Sequence, residues 1–556
     1  AASDVYKRQH QKEGNNMNKK AKIATGILSS LLVLTACSSG GGNAGKDEKT
    51  LKIAESADIP TLDPSKATDA VAFTQFEQIY EGPYKVGKGD EIIPALAKGE
   101  PKKSDDGKTW TIKLRDDAKW SNGDPVTADD FVYSCRRTVN KDTAAEYAYM
   151  FENIKNAKEI TEGKKKVEEL GVQAVDKHTL KIELVKDLPY MKALLAFGSF
   201  LPQNEKFVKD HEKNYGTTDK DVIFNGPFKL ENWKNEDSWD LVKNDKYYNK
   251  DKIKLEKVHY KVVKEAQTAV NMFESKDLDY VRSLTPENIK KYNGNKNYKT
   301  TPESAVFFLR VNETKNKDLA NENLRKAIAK SIDRETFVKK LLDNGSAATD
   351  KLTAKGIVKE DGRDYTDGVK SSLSYDAKEA KAYYEKAKKE LGKDKFEIEF
   401  LTYDKDNAIT ETEFMKAQIE KNLPGVTLKI KQLPFKQKLK VESEKNYDIS
   451  YAGWAPDYPD PTTFLDLFKK DSPHNQTGYA SDEYDGLLEK ANSDAALKNP
   501  AERLKTLQQA EDKVLESGNV VPLYQRGLAQ LLRTNVKGLE NHQVGPDYSL
   551  DKVELK

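Results

Sequence analysis

The chain has 556 residues, of which 37% are hydrophobic and 33% charged, with a formal net charge of +2. Residues 1–36 hold six Lys or Arg against two Asp or Glu, so the rest carries 87 basic and 89 acidic residues, a net charge of −2. A near-neutral, interspersed surface excludes the basic footprint of a nucleic-acid binder, and the length allows roughly two to four domains.

Residues 1–16 read as a non-native extension, because Met17 opens a secretory pattern. Lys19, Lys20 and Lys22 form a positive region, and 23–36 is apolar but shorter than the ~20 residues needed to span a bilayer. Leu34-Thr35-Ala36-Cys37 then fits the site at which bacterial lipoproteins are lipidated and cleaved, which makes 17–36 the leader. The alternative is an ordinary leader followed by a buried Cys37. Residues 37–48, rich in Gly and Ser, form a flexible tether. The chain has two cysteines. Lipidation of Cys37 leaves Cys135 without an intramolecular partner, as a packed small residue in a helical segment.

The spacing predicts a strand at 50–54, a loop at 61–64 and a helix at 70–80 ended by Gly82-Pro83. An alternating strand follows at 109–114. Thr127 caps a helix from Ala128, with Asp129 and Asp130 in its first turn. Another strand falls at 178–184. Strands are expected at 228–230, 238–242, 258–263 and 278–281, with a helix at 267–273. Residues 301–311 read as a crossing strand. Beyond Asn323 the helices lengthen, with a turn at 333–335 and amphipathic helices at 377–391, 411–422 and 501–517. Strands at 396–401, 426–430 and 520–524 alternate with them, as in an α/β lobe.

The most informative run is DISYAGWAPDYPDP at 448–461. Ile449 and Tyr451 alternate with small residues, as in a half-buried strand. Gly453 removes a side chain before Trp454, Asp457 follows, and Pro456, Pro459 and Pro461 stiffen the exit. Such a run offers a strand edge, an aromatic wall and a carboxylate, the three things an extended peptide with a free ammonium needs. The plainer reading is that Trp454 packs in a core or loop. No P-loop, GxGxxG, HExxH, Cys/His cluster or nucleophile elbow is present, so neither a cofactor nor an enzyme activity is expected.

TLDPSKATD at 61–69, WTIKLRDDAKWSNGDPVTADDFVYS at 110–134 and NGPFKLENW at 225–233 carry a resemblance, together with LRKAIAKSIDRETFVKKLL at 324–342 and AGWAPDYPDPTTFL at 452–465. In this order, across nearly all of 50–550, they resemble the family 5 extracellular solute-binding proteins of bacterial ABC importers. The oligopeptide-binding lipoproteins of Gram-positive bacteria are the most similar group. The resemblance implies an α/β, two-lobed periplasmic-binding-protein-like fold with an extra α+β subdomain and a hinge of crossing segments. Lobe I would comprise 49–87, 223–303 and 528–556, with the subdomain at 88–222, and lobe II would span 304–527. The implied function is capture of oligopeptides between closing lobes and delivery to ABC-transporter permease subunits by a monomer, anchored in the membrane through a lipid on Cys37. Alternatives are binding of a peptide pheromone, or the same fold binding a dipeptide or non-peptide solute.

The resemblance also implies roles for residues. Asp457 would grip the ligand's α-ammonium. The backbone of the 452–455 run (Ala452, Gly453, Trp454, Ala455) would lie along the peptide, with Trp454 walling a side-chain pocket. Tyr147 takes the place of a ligand-contacting tyrosine, or is a packed aromatic. Thr68 stands where relatives have a second acid; Asp69 beside it either replaces that acid or caps a helix. Tyr451 stands where some relatives have an arginine that meets the peptide's C-terminal carboxylate, which favours longer ligands.

Overall fold

The computed structural model describes residues 50–404 and 407–556. The expected extension at 1–16, the leader at 17–36, Cys37 and the tether at 37–48 lie outside the described residues.

Eleven strands join in one mixed sheet. They are β1 (Thr50–Glu55), β2 (Phe228–Lys234), β3 (Ser238–Lys243), β4 (Lys257–Val262), β5 (Tyr280–Val281), β6 (Tyr298–Val311), β7 (Ala347–Ala348), β8 (Phe396–Tyr403), β9 (Val426–Leu433), β10 (Ile449–Trp454) and β11 (Val520–Leu532). Their order is β9-β8-β10-β6-β11-β5-β1-β4-β3-β2, with β7 added to β11. β6 and β11 are 14 and 13 residues long and pair antiparallel over most of their length. Each serves both halves of the sheet, because β6 pairs β10 on one side and β11 pairs β5 on the other. Their register shifts between Pro302 and Val306. A proline has no N–H to give the ladder, so irregularity there follows from the sequence.

A separate four-stranded antiparallel sheet is built from Lys102–Lys103, Thr109–Lys113, Val172–Asp176 and Thr179–Glu183. Two helices matter for the site: α1 (Ala70–Ile79), and α2 (Ala128–Val139), which packs on the small sheet. The Asp130 carboxylate accepts the Thr127 N–H at 2.8 Å and closes the start of α2. Burial lifts its pKa to about 6. Asp69 caps α1, its Oδ1 accepting the Ala72 N–H at 2.9 Å. Cys135 is buried in α2, and burial pushes its thiol up to about 12.

Two expectations need correction. β10 is not half-buried: Ile449 and Tyr451 are fully buried, because β6 flanks the strand and side chains cover both faces. The turn at 333–335 is a helix start. Asp333 accepts the Thr336 N–H at 3.0 Å and caps Arg334–Thr336, which continues into a π-helical segment at Phe337–Leu342.

Candidate ligand-binding cavity

β10 pairs with β6 along its whole length, from Ile449 opposite Val311 to Trp454 opposite Val306. On its other side it pairs with β8 only at Ile449 and Ser450. β8 continues beyond that point along β9 instead. The β8 side of β10 is therefore an open edge from Tyr451 onward. Ala452, Gly453 and Trp454 on that edge line a cavity of about 390 Å³.

The same cavity is lined by Thr68, Asp69, Tyr147, Ala455 and Asp457. Eight of the nine residues singled out by sequence thus share one wall, although they come from three distant stretches. Tyr451 is the ninth and does not line it. Successive residues of a strand face opposite sides, and Tyr451 points under the sheet. Its hydroxyl bonds to Glu411 and lies 2.7 Å from the Tyr524 hydroxyl.

Asp457 is 8% exposed. The Tyr147 hydroxyl donates to its Oδ1 at 3.4 Å, while its backbone N–H donates to Thr463 Oγ1 at 2.9 Å. Its Oδ2 is buried with no hydrogen-bond partner. Burial pushes its pKa well above the usual carboxylate range, with the hydrogen bonds opposing. A carboxylate so placed is costly until a donor, best a cation, meets it.

Trp454 stacks on Tyr147 with ring centroids 6.3 Å apart, and its indole N–H is buried without a partner. His474 stands edge-on to both rings, each 5.1 Å away. Burial and then the Arg310 charge push the imidazole down to about 3, so it is neutral. Its 3.8 Å approach to Glu146 is accordingly not an ion pair. Asp69 combines two positions, capping α1 and lining the cavity.

Several lining residues had not been singled out. Helix α3 (Phe435–Ser443) supplies Lys438 and Glu442, both almost fully buried. In sequence this segment, FKQKLKVES, looks like a solvated lysine-rich face. Arg310, His474 and Gln476 also line the cavity. Only Arg310 left a signal, as a single charge inside the apolar run of β6.

The fold and cavity are those of a protein that encloses a solute. The chain belongs to the family described as bacterial extracellular solute-binding proteins, family 5 Middle, which it matches over residues 91–476. It is 31% identical over 559 residues to a dipeptide-binding protein of Lactococcus lactis subsp. cremoris, covering 97% of this chain and 100% of that one. The substrate-binding domain of an oligopeptide ABC transporter from Bacillus anthracis superposes with a TM-score of 0.89 at 44% identity, over 91% of this chain and 99% of that one. Listeria monocytogenes OppA bound to peptide gives 0.87 at 40% identity, with the same coverage. The pheromone receptor PrgZ also gives 0.87, at 34% identity and the same coverage. The fold is therefore the two-lobed α/β fold of these proteins.

The arrangement of the chain departs from that of an open relative. The murein tripeptide-binding protein MppA of Escherichia coli superposes with a TM-score of 0.81 at 26% identity, over 91% of this chain and 98% of that one. The unliganded open form of MppA gives only 0.60 at the same identity, over 91% and 97%.

Proposed function

We propose that this protein captures peptides with a free N-terminus outside the cell and presents them to an ABC permease. The observation that carries this reading is the buried, half-unpartnered Asp457 carboxylate, set in one cavity beside the open edge of β10. Asp457 takes the ligand's ammonium, with Tyr147 holding its other oxygen. The main chain of 452–454 pairs with the peptide as an added strand, which gives affinity independent of side chains. The unpartnered Trp454 N–H donates to a ligand oxygen. Ordered water fills mismatched side-chain space at little cost.

In the same reading, lobe I comprises 49–87, 223–303 and 528–556, carries the 88–222 subdomain, and moves against lobe II (304–527) about β6 and β11. Cys37 holds the chain at the membrane through a lipid, and the 37–48 tether lets it reach the permease. Incorporation of labelled palmitate, lost on Cys37→Ser, is the check on the anchor.

The ligand is tested by calorimetry on the mature chain with mixed peptides of four to eight residues, free or N-acetylated. Free peptides bind and acetylated ones do not. Equal binding of both sets would sink the ammonium clamp. The PrgZ likeness favours a second reading, presentation of a signalling peptide. Growth of a deletion strain on peptides as sole amino-acid source, set against its response to secreted peptides, separates the two roles.

A further inference from the structure

The charges that line the cavity do not balance one another. Its four lysines and arginines are all met by acids of the protein. Arg310 Nη1 stands 3.2 Å from Glu442 Oε1, and the Lys438 ammonium lies 2.9 Å from the same oxygen. Lys440 pairs with Glu444 at 3.8 Å, and Arg526 pairs with Glu303. Three more carboxylates line the same space, those of Asp69, Glu146 and Asp457. Asp69 is engaged as the cap of α1. Asp457 meets the Tyr147 hydroxyl, and Glu146 meets the neutral ring of His474 at 3.8 Å. Neither has a cation within 4 Å among the described residues.

Glu146 opens the 3₁₀ turn Glu146–Phe151, one residue before Tyr147. Its side chain is 32% exposed, so it is drawn out of bulk water yet open to a ligand. Burial raises its pKa; the Arg310 charge opposes this and Glu442 adds to it. Its charge is felt at the ammonium end. Burial, and then Asp457, Tyr149, Glu146 and Asp69, push the Tyr147 hydroxyl well above its usual range. This end of the cavity holds more negative charge than one ligand ammonium offsets. The rings of Tyr147, Trp454 and His474 stand beside it as a wall. A methylene stem can lie along such rings and keep a charged head at the polar end.

Resting on the peptide-binding reading above, we propose that Glu146 sets a side-chain preference. It takes the lysine or arginine side chain of a residue near the ligand's amino end, while Asp457 takes the α-ammonium. The preferred ligand carries two positive charges close together. A half-buried carboxylate without a cation gains more from such a pair than a surface acid does, because less solvent screens it. An acidic side chain in the same place meets like charge and is rejected.

The test is calorimetry with tetra-alanine and with tetra-alanine carrying Lys, norleucine or Glu at each of its first three positions. Norleucine keeps the stem of lysine and lacks its charge. At one of these positions Lys binds about five-fold or more tighter than norleucine, and Glu binds more weakly than norleucine. Glu146→Gln brings the Lys and norleucine peptides within about two-fold of each other. Equal binding of Lys and norleucine peptides at all three positions by the wild-type chain overturns the proposal without any variant. So does a Lys preference that survives Glu146→Gln, or a Glu146→Gln loss that is the same for every peptide. Failure of all free-amine peptides, tetra-alanine included, would instead overturn the peptide-binding reading on which it stands.

Discussion

Burial pushes an aspartate with one bare oxygen toward its neutral form, and a ligand's ammonium restores the charged one. Asp457→Asn is therefore expected to weaken free-amine peptides by roughly 10- to 100-fold, the worth of one charge-assisted hydrogen bond. The melting temperature of the empty protein should hold or rise, since a penalised charge has gone. Calorimetry and a thermal melt on one sample check both halves; a lower melting temperature with unchanged affinity would make Asp457 structural. Tyr451 gives the opposite case. Its hydroxyl bonds Glu411 and Tyr524 away from the cavity. Tyr451→Phe should cost about 1–3 kcal/mol of stability, read by denaturant unfolding, and leave peptide affinity within about two-fold.

At the scale of the element, the site depends on how β10 is paired. Gly453 lies on its open edge, and a Cβ there would come within 3.0 Å of the Phe307 ring. Gly453→Val should lower stability by about 1–2 kcal/mol through this overpacking and weaken every peptide together, whatever its sequence. A variant that altered only peptides with one particular side chain would show that main-chain pairing is not the source of affinity. The strand itself was readable from the alternation at 449–454, and β6 and β11 from their apolar runs. The one-sided pairing of β10 was not readable, because it is set by where β8 leaves β10 for β9, a contact made after long chain separations. Likewise α3 showed only lysines and glutamates. The buried Glu442 is paired with Lys438 on its own helix and with Arg310, more than a hundred residues earlier, and local periodicity holds no trace of the second pair. Asp457 and Trp454 were found through the AGWAPDY run, and Tyr147 through the family resemblance, rather than through burial. Their convergence on one cavity belongs to the tertiary fold.

Across the whole molecule, residues 149–194 and 458–492 meet around a second cavity of about 290 Å³. Tyr190 and Tyr458 stack across it at 4.6 Å. Asp466 lines it from one side, beside Lys469, Glu489 and Asn492; Glu152, Lys158, Lys186 and Tyr149 line it from the other. Burial is the main reason that the Asp466 pKa rises from 3.8 to about 6; Lys469 and Arg503 oppose it, and Glu152 and Asp460 add to it. Under the lobe assignment proposed above, which puts 149–194 and 458–492 on opposite lobes, opening hydrates the carboxylate and returns it toward its ordinary value. The raised value belongs to the closed form, so closure takes up a proton. The closed form is unpenalised below about pH 4, increasingly penalised as pH rises to about 6, and carries the full cost of about 2–3 kcal/mol above that. Ligand affinity is coupled to closure in this reading and should strengthen several-fold between pH 7.5 and 5.5. Asp466→Asn should bind about ten-fold tighter than wild type at pH 7.5 and lose most of the pH slope. Small-angle scattering of the empty variant at that pH should show a more compact particle. If calorimetry gives parallel pH profiles for the two proteins, the closing surface does not hold Asp466 in the dry state on which this coupling depends.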